Sequence, residues 1–380
     1  MKIIYIANTQ MPTDRAHGYQ IGKTCEKFAA LGNEVALIIP DRKHNLPEGI
    51  FEYYGLQKNF TVEKISCFNV MSHGGRLAFF AELAIFSLKL LFKKIDKDTI
   101  IYSRDMAPLF IFRARGFRVV YNAHNWSPRR KRLLRTFFGT EVKIICNSEG
   151  TRRQAREDGF HNSITATNGV ELADFENLGS KIELRKKLEL PLDKKIAMYV
   201  GHLYGWKGVD TILRAATFLK EEKNILFVVV GGDEGEQKEF TAKIKEEGIE
   251  NLLSLGHKPK KEIPKYLESA DILLLPNSAK SEESVKYTSP IKMFEYLASG
   301  IPVIASDLPS LREVLHEKNS LLVKPDNPEA LSEGIEKLLN DTAFSEALAR
   351  QAHRDAEKYT WDEYAKKILN FIELAHLAIY

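Results

Sequence analysis

The sequence predicts an α/β chain of two domains, each built on a parallel β-sheet. Three observations carry this. First, Ile3 to Ala7 is a short apolar run, and a polar loop separates it from a helical pattern between about Tyr19 and Leu31. Gly32 then leads into a second apolar run at Val35 to Ile39. Strand, loop, helix and strand at this spacing make a βαβ unit, whose strands lie parallel. Second, the pattern restarts at Ile196 to Val200, with a glycine loop and a helix whose apolar face carries Ile212, Leu213, Ala216 and Leu219. Third, 380 residues are enough for two domains of ordinary size, each with its own core.

Composition narrows the class. Hydrophobic residues make up 44% and charged residues 28% of the chain, the values of a soluble globular protein. A net charge of +4 is too small to argue for a nucleic-acid partner. The charge is nonetheless clustered, with Arg129, Arg130, Lys131, Arg132 and Arg135 in a tight basic group. Cys25, Cys67 and Cys146 are odd in number and widely spaced. They form neither a disulfide framework nor a metal pattern, which favours a reducing compartment. The opening run is too short for a secretory signal. The most apolar stretch, Leu77 to Phe92, is interrupted by Glu82 and Lys89 and falls short of the roughly 20 apolar residues a membrane span needs. The expected location is therefore cytoplasmic, with peripheral contact at the inner face of an anionic membrane.

In the first half, Thr99 to Tyr102, Val119 to Tyr121 and Val142 to Cys146 read as further buried strands. Residues 44–75 read as irregular. Residues 76–94 read as a helix rich in Phe and Leu, either buried against a sheet or facing a membrane. No G-x-G-x-x-G follows the first strand, which argues against a dinucleotide site. His17 and Gly18 end the first loop, where glycine either admits a ligand to the backbone or eases helix entry. His124, just past a strand end, sits where open α/β sheets bind ligands.

In the second half, Gly201 ends a strand, and Lys207-Gly208 precedes a helix, placing a lysine within reach of a phosphate. Gly231-Gly232-Asp233 and Gly256-His257 follow two more strands. Residues 286–314 are the densest stretch. Ser289 and Pro290 read as a helix start, serine capping and proline at the first helical position. Ile291, Phe294, Leu297 and Ala298 form one face, with Lys292, Glu295 and Ser299 opposite. A helix N-terminus with a lysine in its first turn is a ready anion site. Gly300 ends the helix before the buried strand Ile301 to Ala305.

These motifs resemble the nucleotide-sugar site of glycosyltransferase family 4, in particular a subgroup with a TSPxKxFEY motif. Ala298, Gly300, Pro302, Val303, Ile304, Ala305, Ser306 and Asp307 match the family run A-x-G-x-P-V-[IV]-A-[ST]-D, and Glu295 matches the second acid of E-x(7)-E. Two positions depart. Tyr287 stands where the first acid belongs, and His202 replaces the arginine of G-R-L-x-x-x-K-G. The resemblance implies a GT-B fold, two Rossmann-like domains facing a cleft, with a C-terminal helix crossing back. The implied divisions are 1–172 on the acceptor side, 173–358 binding the nucleotide sugar, and 359–380 returning.

The implied reaction moves a sugar, with retained configuration, from a nucleoside-diphosphate sugar to a hydroxyl of a glycan or lipid-linked acceptor, without a required cofactor or metal. His124, Lys207 and Lys292 are the implied catalytic residues. Donor contacts fall on Gly18, Gly201, His202, Lys207, Gly232, His257, Tyr287, Ser289, Pro290, Ile291, Lys292 and Glu295. Two other readings remain open: a sugar-nucleotide epimerase on the same architecture, and a degenerate nucleotide-sugar-binding scaffold.

Overall fold

The computed structural model describes residues 1–42, 46, 48–67 and 75–373. Residues 44, 45, 47 and 68–74 of the stretch expected to be irregular, and 374–380 of the expected returning segment, lie outside the described residues, as does residue 43. The chain divides into two compact units: Met1–Thr167 together with the last helix, and Asn168–Thr360.

Unit 1 alternates strands and helices: β1 (Lys2–Ile6), α1 (Ala16–Ala30), β2 (Glu34–Asp41), α2 (Ile50–Tyr54), β3 (Thr61–Ser66), α3 (Gly75–Phe92), β4 (Ile100–Ser103), α4 (Met106–Ala114), β5 (Arg118–Ala123), α5 (Pro128–Phe138), β6 (Lys143–Cys146), α6 (Glu149–Glu157) and β7 (Ser163–Thr165). Every pairing is parallel, in the order β3-β2-β1-β4-β5-β6-β7. The inner strands are buried on both faces, as a sheet covered by helices on two sides requires.

Part of the stretch expected to be irregular is ordered. It contains α2 and β3, the latter an edge strand reading Thr-Val-Glu-Lys-Ile-Ser with only Ile65 buried. An edge strand with one buried side chain offers no apolar run, so it left no sequence signal. Helix α1 begins at Ala16, three residues before the expected start.

Unit 2 repeats the plan with α7 (Lys181–Lys187), β8 (Lys195–Val200), α8 (Val209–Phe218), β9 (Ile225–Val230), α9 (Glu234–Glu246), β10 (Leu252–Ser254), α10 (Ile263–Ser269), β11 (Ile272–Leu275), α11 (Ile291–Ala298), β12 (Val303–Ser306), β13 (Leu321–Val323), α12 (Pro328–Asn340) and α13 (Thr342–Ala356). Its sheet is again parallel, ordered β10-β9-β8-β11-β12-β13. Two apolar clusters cover its faces. One joins Met198, Leu273, Phe294 and Leu297, and the other joins Ile212, Phe227, Leu274 and Ile335.

The last helix, α14 (Trp361–Glu373), belongs to unit 1. Trp361 is fully buried, edge-on to Tyr19 at 6.1 Å and to Tyr364 at 5.3 Å between ring centroids. Gln20 donates to the Tyr364 hydroxyl at 3.0 Å, and Lys27 pairs with Asp362 at 2.9 Å. The indole is thus the main apolar anchor of a helix that the chain reaches only after building unit 2.

Replacing Trp361 by alanine is expected to destabilise unit 1 by about 3–5 kcal/mol, the scale for truncating a buried aromatic. Chemical denaturation would show an earlier first transition. A loss below about 1 kcal/mol would contradict this packing role.

Candidate active site

The densest group of chemically active side chains in unit 2 lies where β8 and β11 end and α11 begins. At Gly201 the backbone turns with φ 140°, and a Cβ there would lie 3.0 Å from Lys292 Nζ. Gly208, with φ 80°, brings its backbone so near Pro276 that a Cβ would fall 1.7 Å from that carbonyl oxygen. Only glycine meets both demands. This close approach fixes the short turn Gly205–Lys207 against the end of β11.

The start of α11 differs from the sequence expectation. Pro290 is itself the cap, with extended φ −74° and ψ 130°, and Ile291 is the first helical residue. Ser289 therefore caps nothing. Its carbonyl accepts from Asn168 at 2.6 Å, while its buried hydroxyl has no partner. The polar face is also covered: Glu295 is 8% and Ser299 9% exposed.

Lys292, in the first turn, points its ammonium inward. Nζ is buried without a hydrogen-bond partner and sits 3.7 Å from the centroid of the Tyr199 ring. Desolvation holds its pKa well below the usual lysine value, and the positive charge of Lys207 lowers it further. Lys207 keeps some accessible surface along its side chain, with its ammonium 3.7 Å from the Trp206 ring centroid. Burial pushes its pKa down to about 7, with Glu283 working in the opposite direction.

Other polar atoms nearby in the chain are also buried and unpartnered: both amide atoms of Asn277, just past β11, and the hydroxyl of Ser284. Buried polar groups almost always find a partner, so a concentration of exceptions marks a place built for a polar ligand. Sequence reasoning did not single out Asn277, because its burial depends on the sheet beneath it.

The remaining expected donor residues are placed as follows. Glu295 forms an ion pair with Lys260, from the turn Lys260–Glu262. Sequence reasoning missed Lys260, which lies 35 positions away and carries no local motif. His257 is exposed in the loop before it. Tyr287 is buried at the end of a five-residue π-turn, Glu283–Tyr287. His202 stacks on Tyr204 at 5.0 Å and faces Glu236 Oε2 at 3.3 Å. The same carboxylate accepts from the Leu203 N–H at 3.2 Å and completes the capping box of α9. The ring in the expected arginine's place is thus tied to the N-terminus of α9. Gly232, with φ 81°, makes room for the Leu203 side chain.

In unit 1, Gly18 lies inside the first turn of α1 rather than in a loop. A Cβ there would meet the Tyr54 hydroxyl at 2.0 Å, and that hydroxyl accepts from the Thr13 N–H at 2.8 Å. Its small size is explained by Tyr54, without a ligand. His124 follows β5, with Nε2 buried and unpartnered. Its pKa is held well below 6.5, first by burial and then by the charges of Arg104, His17 and Arg130. It is therefore neutral at pH 7.

Among the described residues no group of three His, Cys, Asp or Glu side chains is placed to hold a metal ion. No described helix is long and apolar enough to cross a membrane.

Both units match known protein families. Residues 180–355 match the family Glycosyl transferases group 1, and residues 19–174 match Glycosyltransferase Family 4. An uncharacterized glycosyltransferase of Methanocaldococcus jannaschii is 30% identical over 215 residues, 55% of this chain and 53% of that protein. The chain spans about half the length of the curated relatives it matches. Among solved structures, sucrose-phosphate synthase of Thermosynechococcus elongatus superposes with TM-score 0.80 at 18% identity, covering 99% of both chains. HepE of Anabaena, solved with UDP and glucose, gives TM-score 0.75 at 19% identity, covering 98% of this chain and 99% of that one. At these identities the structural likeness shows the fold, which is GT-B. With both units matched by glycosyltransferase families, the chain belongs to the family-4 glycosyltransferases.

Proposed function

We propose that this chain transfers a sugar from a nucleoside-diphosphate sugar to a hydroxyl of a glycan or lipid-linked acceptor, with retained configuration, in cell-surface polysaccharide or glycoconjugate synthesis. One observation carries the reading. Lys292 holds a buried ammonium with no hydrogen-bond partner, close enough to Lys207 for that second charge to oppose its own. Two opposed cations are a poor arrangement for an empty protein and a good one for a diphosphate. As the sugar leaves, negative charge builds on the diphosphate, and preorganised donors stabilise that charge most where water is excluded.

The other residues take supporting roles in this reading. The first turn of α11, entered through Ser289, Pro290 and Ile291, adds its N–H groups and helix dipole. Lys292 supplies the cation that His202, held against Glu236, does not. Glu295 accepts the ribose hydroxyls while Lys260 steadies its charge. His124, neutral, serves a sugar hydroxyl through its unpartnered Nε2. HepE binds UDP, which makes UDP the first nucleotide to test here.

Lys292→Ala is expected to lower turnover by about 10²–10³-fold at saturating donor, the scale for removing one stabiliser of developing charge. Lys207→Ala should do the same, and the double variant should lose less than the product of the two, because both act on one diphosphate. A panel of UDP-sugars, assayed by UDP release, measures it. Wild-type turnover in Lys292→Ala would remove the lysine from the mechanism.

Peripheral attachment to an anionic membrane, at its cytoplasmic face, belongs to the same proposal. Phe92 and Phe137 are 75% and 56% exposed, and Arg129 and Arg132 are exposed on α5. Two members of the basic group are already engaged: Lys131 pairs with Asp158 at 2.5 Å, and Arg135 donates to the Asp158 carbonyl at 2.7 Å. Binding should therefore be weak, with each free basic residue contributing about 1 kcal/mol and salt removing it. Flotation with anionic vesicles at low salt is the check, and absence of binding there would discard this part.

A further inference from the structure

Unit 1 carries a second group of unsatisfied polar side chains, and its position in the sheet is informative. The strand order reverses direction between β1 and β4: the chain runs outward from β1 through β2 and β3, then returns to β4 and runs the other way. Open parallel sheets bind ligands outside the carboxyl ends of strands at such a point. Arg104 stands immediately after β4, whose last residue, Ser103, is in register with Ile6 of β1 and Tyr121 of β5. His124 stands immediately after β5, and His17 in the first turn of the helix after β1.

These groups are unusually free of counter-charge. Arg104 Nη1 and His124 Nε2 are both buried without a partner. Arg130, in the first turn of α5, gives one N–H to the Asn125 carbonyl at 3.2 Å. Neither Arg104 nor Arg130 has a carboxylate within ion-pair distance among the described residues. The nearest acid in sequence, Asp105, accepts the Asn8 N–H at 2.7 Å. Arg42, after β2, differs sharply, since Glu82 neutralises it. His17 is held by Thr9 at 2.8 Å. The positive charge felt at His124, from Arg104, Arg130 and His17, is one reason that ring stays neutral.

We propose that Arg104, at the end of β4, and Arg130, in the first turn of α5, form beside His124 an oxyanion site in unit 1 for a phosphate or carboxylate group carried by the acceptor. Arginine suits the task because its planar fork meets two oxygens of either group at once. The acceptor assignment rests on the transferase reading above, in which unit 2 takes the donor diphosphate. It narrows the acceptor class from any sugar hydroxyl to a glycan or lipid-linked sugar bearing an acid near the reacting hydroxyl.

The test is calorimetric titration of the full chain with inorganic phosphate, glucose 6-phosphate, glucuronate and, as a neutral control, glucose. Each titration is run with and without saturating UDP, which occupies the donor phosphates. Arg104-dependent binding of a phosphate or a carboxylate probe in the presence of UDP supports the site, and the tighter probe identifies which acid it takes. Arg104→Gln should weaken that binding by about 10–100-fold, as expected for a lost charge-assisted fork, and leave UDP binding unchanged. Arg104→Lys, which keeps the charge and loses the fork, should give an intermediate loss and reports the site if Arg104→Gln does not fold. Arg130→Gln supplies a further independent reading. Phosphate binding that vanishes with UDP present, or that is indifferent to both Arg104 and Arg130, overturns the proposal. Failure of UDP itself to bind would instead count against the donor reading, while the dependence on Arg104 would still decide this one.

Discussion

Two lysine ammonium groups are brought together in unit 2 with too little negative charge to satisfy them, and much of the local architecture follows from that constraint. Taking a charge out of water is expensive unless a partner compensates. Here the fold gives Lys292 a tyrosine ring and Lys207 a tryptophan ring, interactions worth a few kcal/mol at most. The remaining cost is met by letting both groups lose part of their affinity for protons. The surroundings hold this arrangement in place. Gly208 is pressed against Pro276, Gly201 leaves space for Lys292, and the Tyr296 hydroxyl accepts the Val200 N–H at 2.8 Å and donates to the Val200 carbonyl at 3.4 Å, tying α11 to β8.

The sign of the linkage follows directly. Lys207 has a folded pKa of about 7, below the usual lysine value. Between about pH 7 and 10.4 the unfolded chain therefore binds the extra proton. Stability of the empty protein rises with pH across that window and gains nothing from this group below it. A bound diphosphate reverses the preference, because the anion favours both charged lysines. The site is destabilising when empty and stabilised by its ligand, as expected where function and stability compete.

How much of this was legible in the sequence varies with range. The buried strands were, since parallel strands covered on both faces read as unbroken apolar runs, as at Ile225–Val230 and Ile272–Leu275. The edge strand β3 was not, having one buried side chain. Lys207, Lys292 and Glu295 were legible as residues in a pattern, but their environments were not. The Lys260–Glu295 pair and the His202–Glu236 contact join residues more than thirty positions apart, which no local motif encodes. Ser289 and Pro290 looked like cap and first helical residue. The extended ψ of Pro290 moved the helix start one place on and left the serine hydroxyl unpaired. Arg104 carried no signal, because its meaning comes from the reversal of strand order beside it.

The central claim is that Lys207 and Lys292 wait, partly deprotonated, for a diphosphate. It is tested most directly by calorimetric titration of UDP at pH 8 in two buffers of different ionisation enthalpy. The predicted result is net proton uptake on binding, about one proton of it from Lys207, with affinity falling as pH rises from 7 to 9. Binding without proton uptake, and with affinity unchanged over that range, would contradict the account.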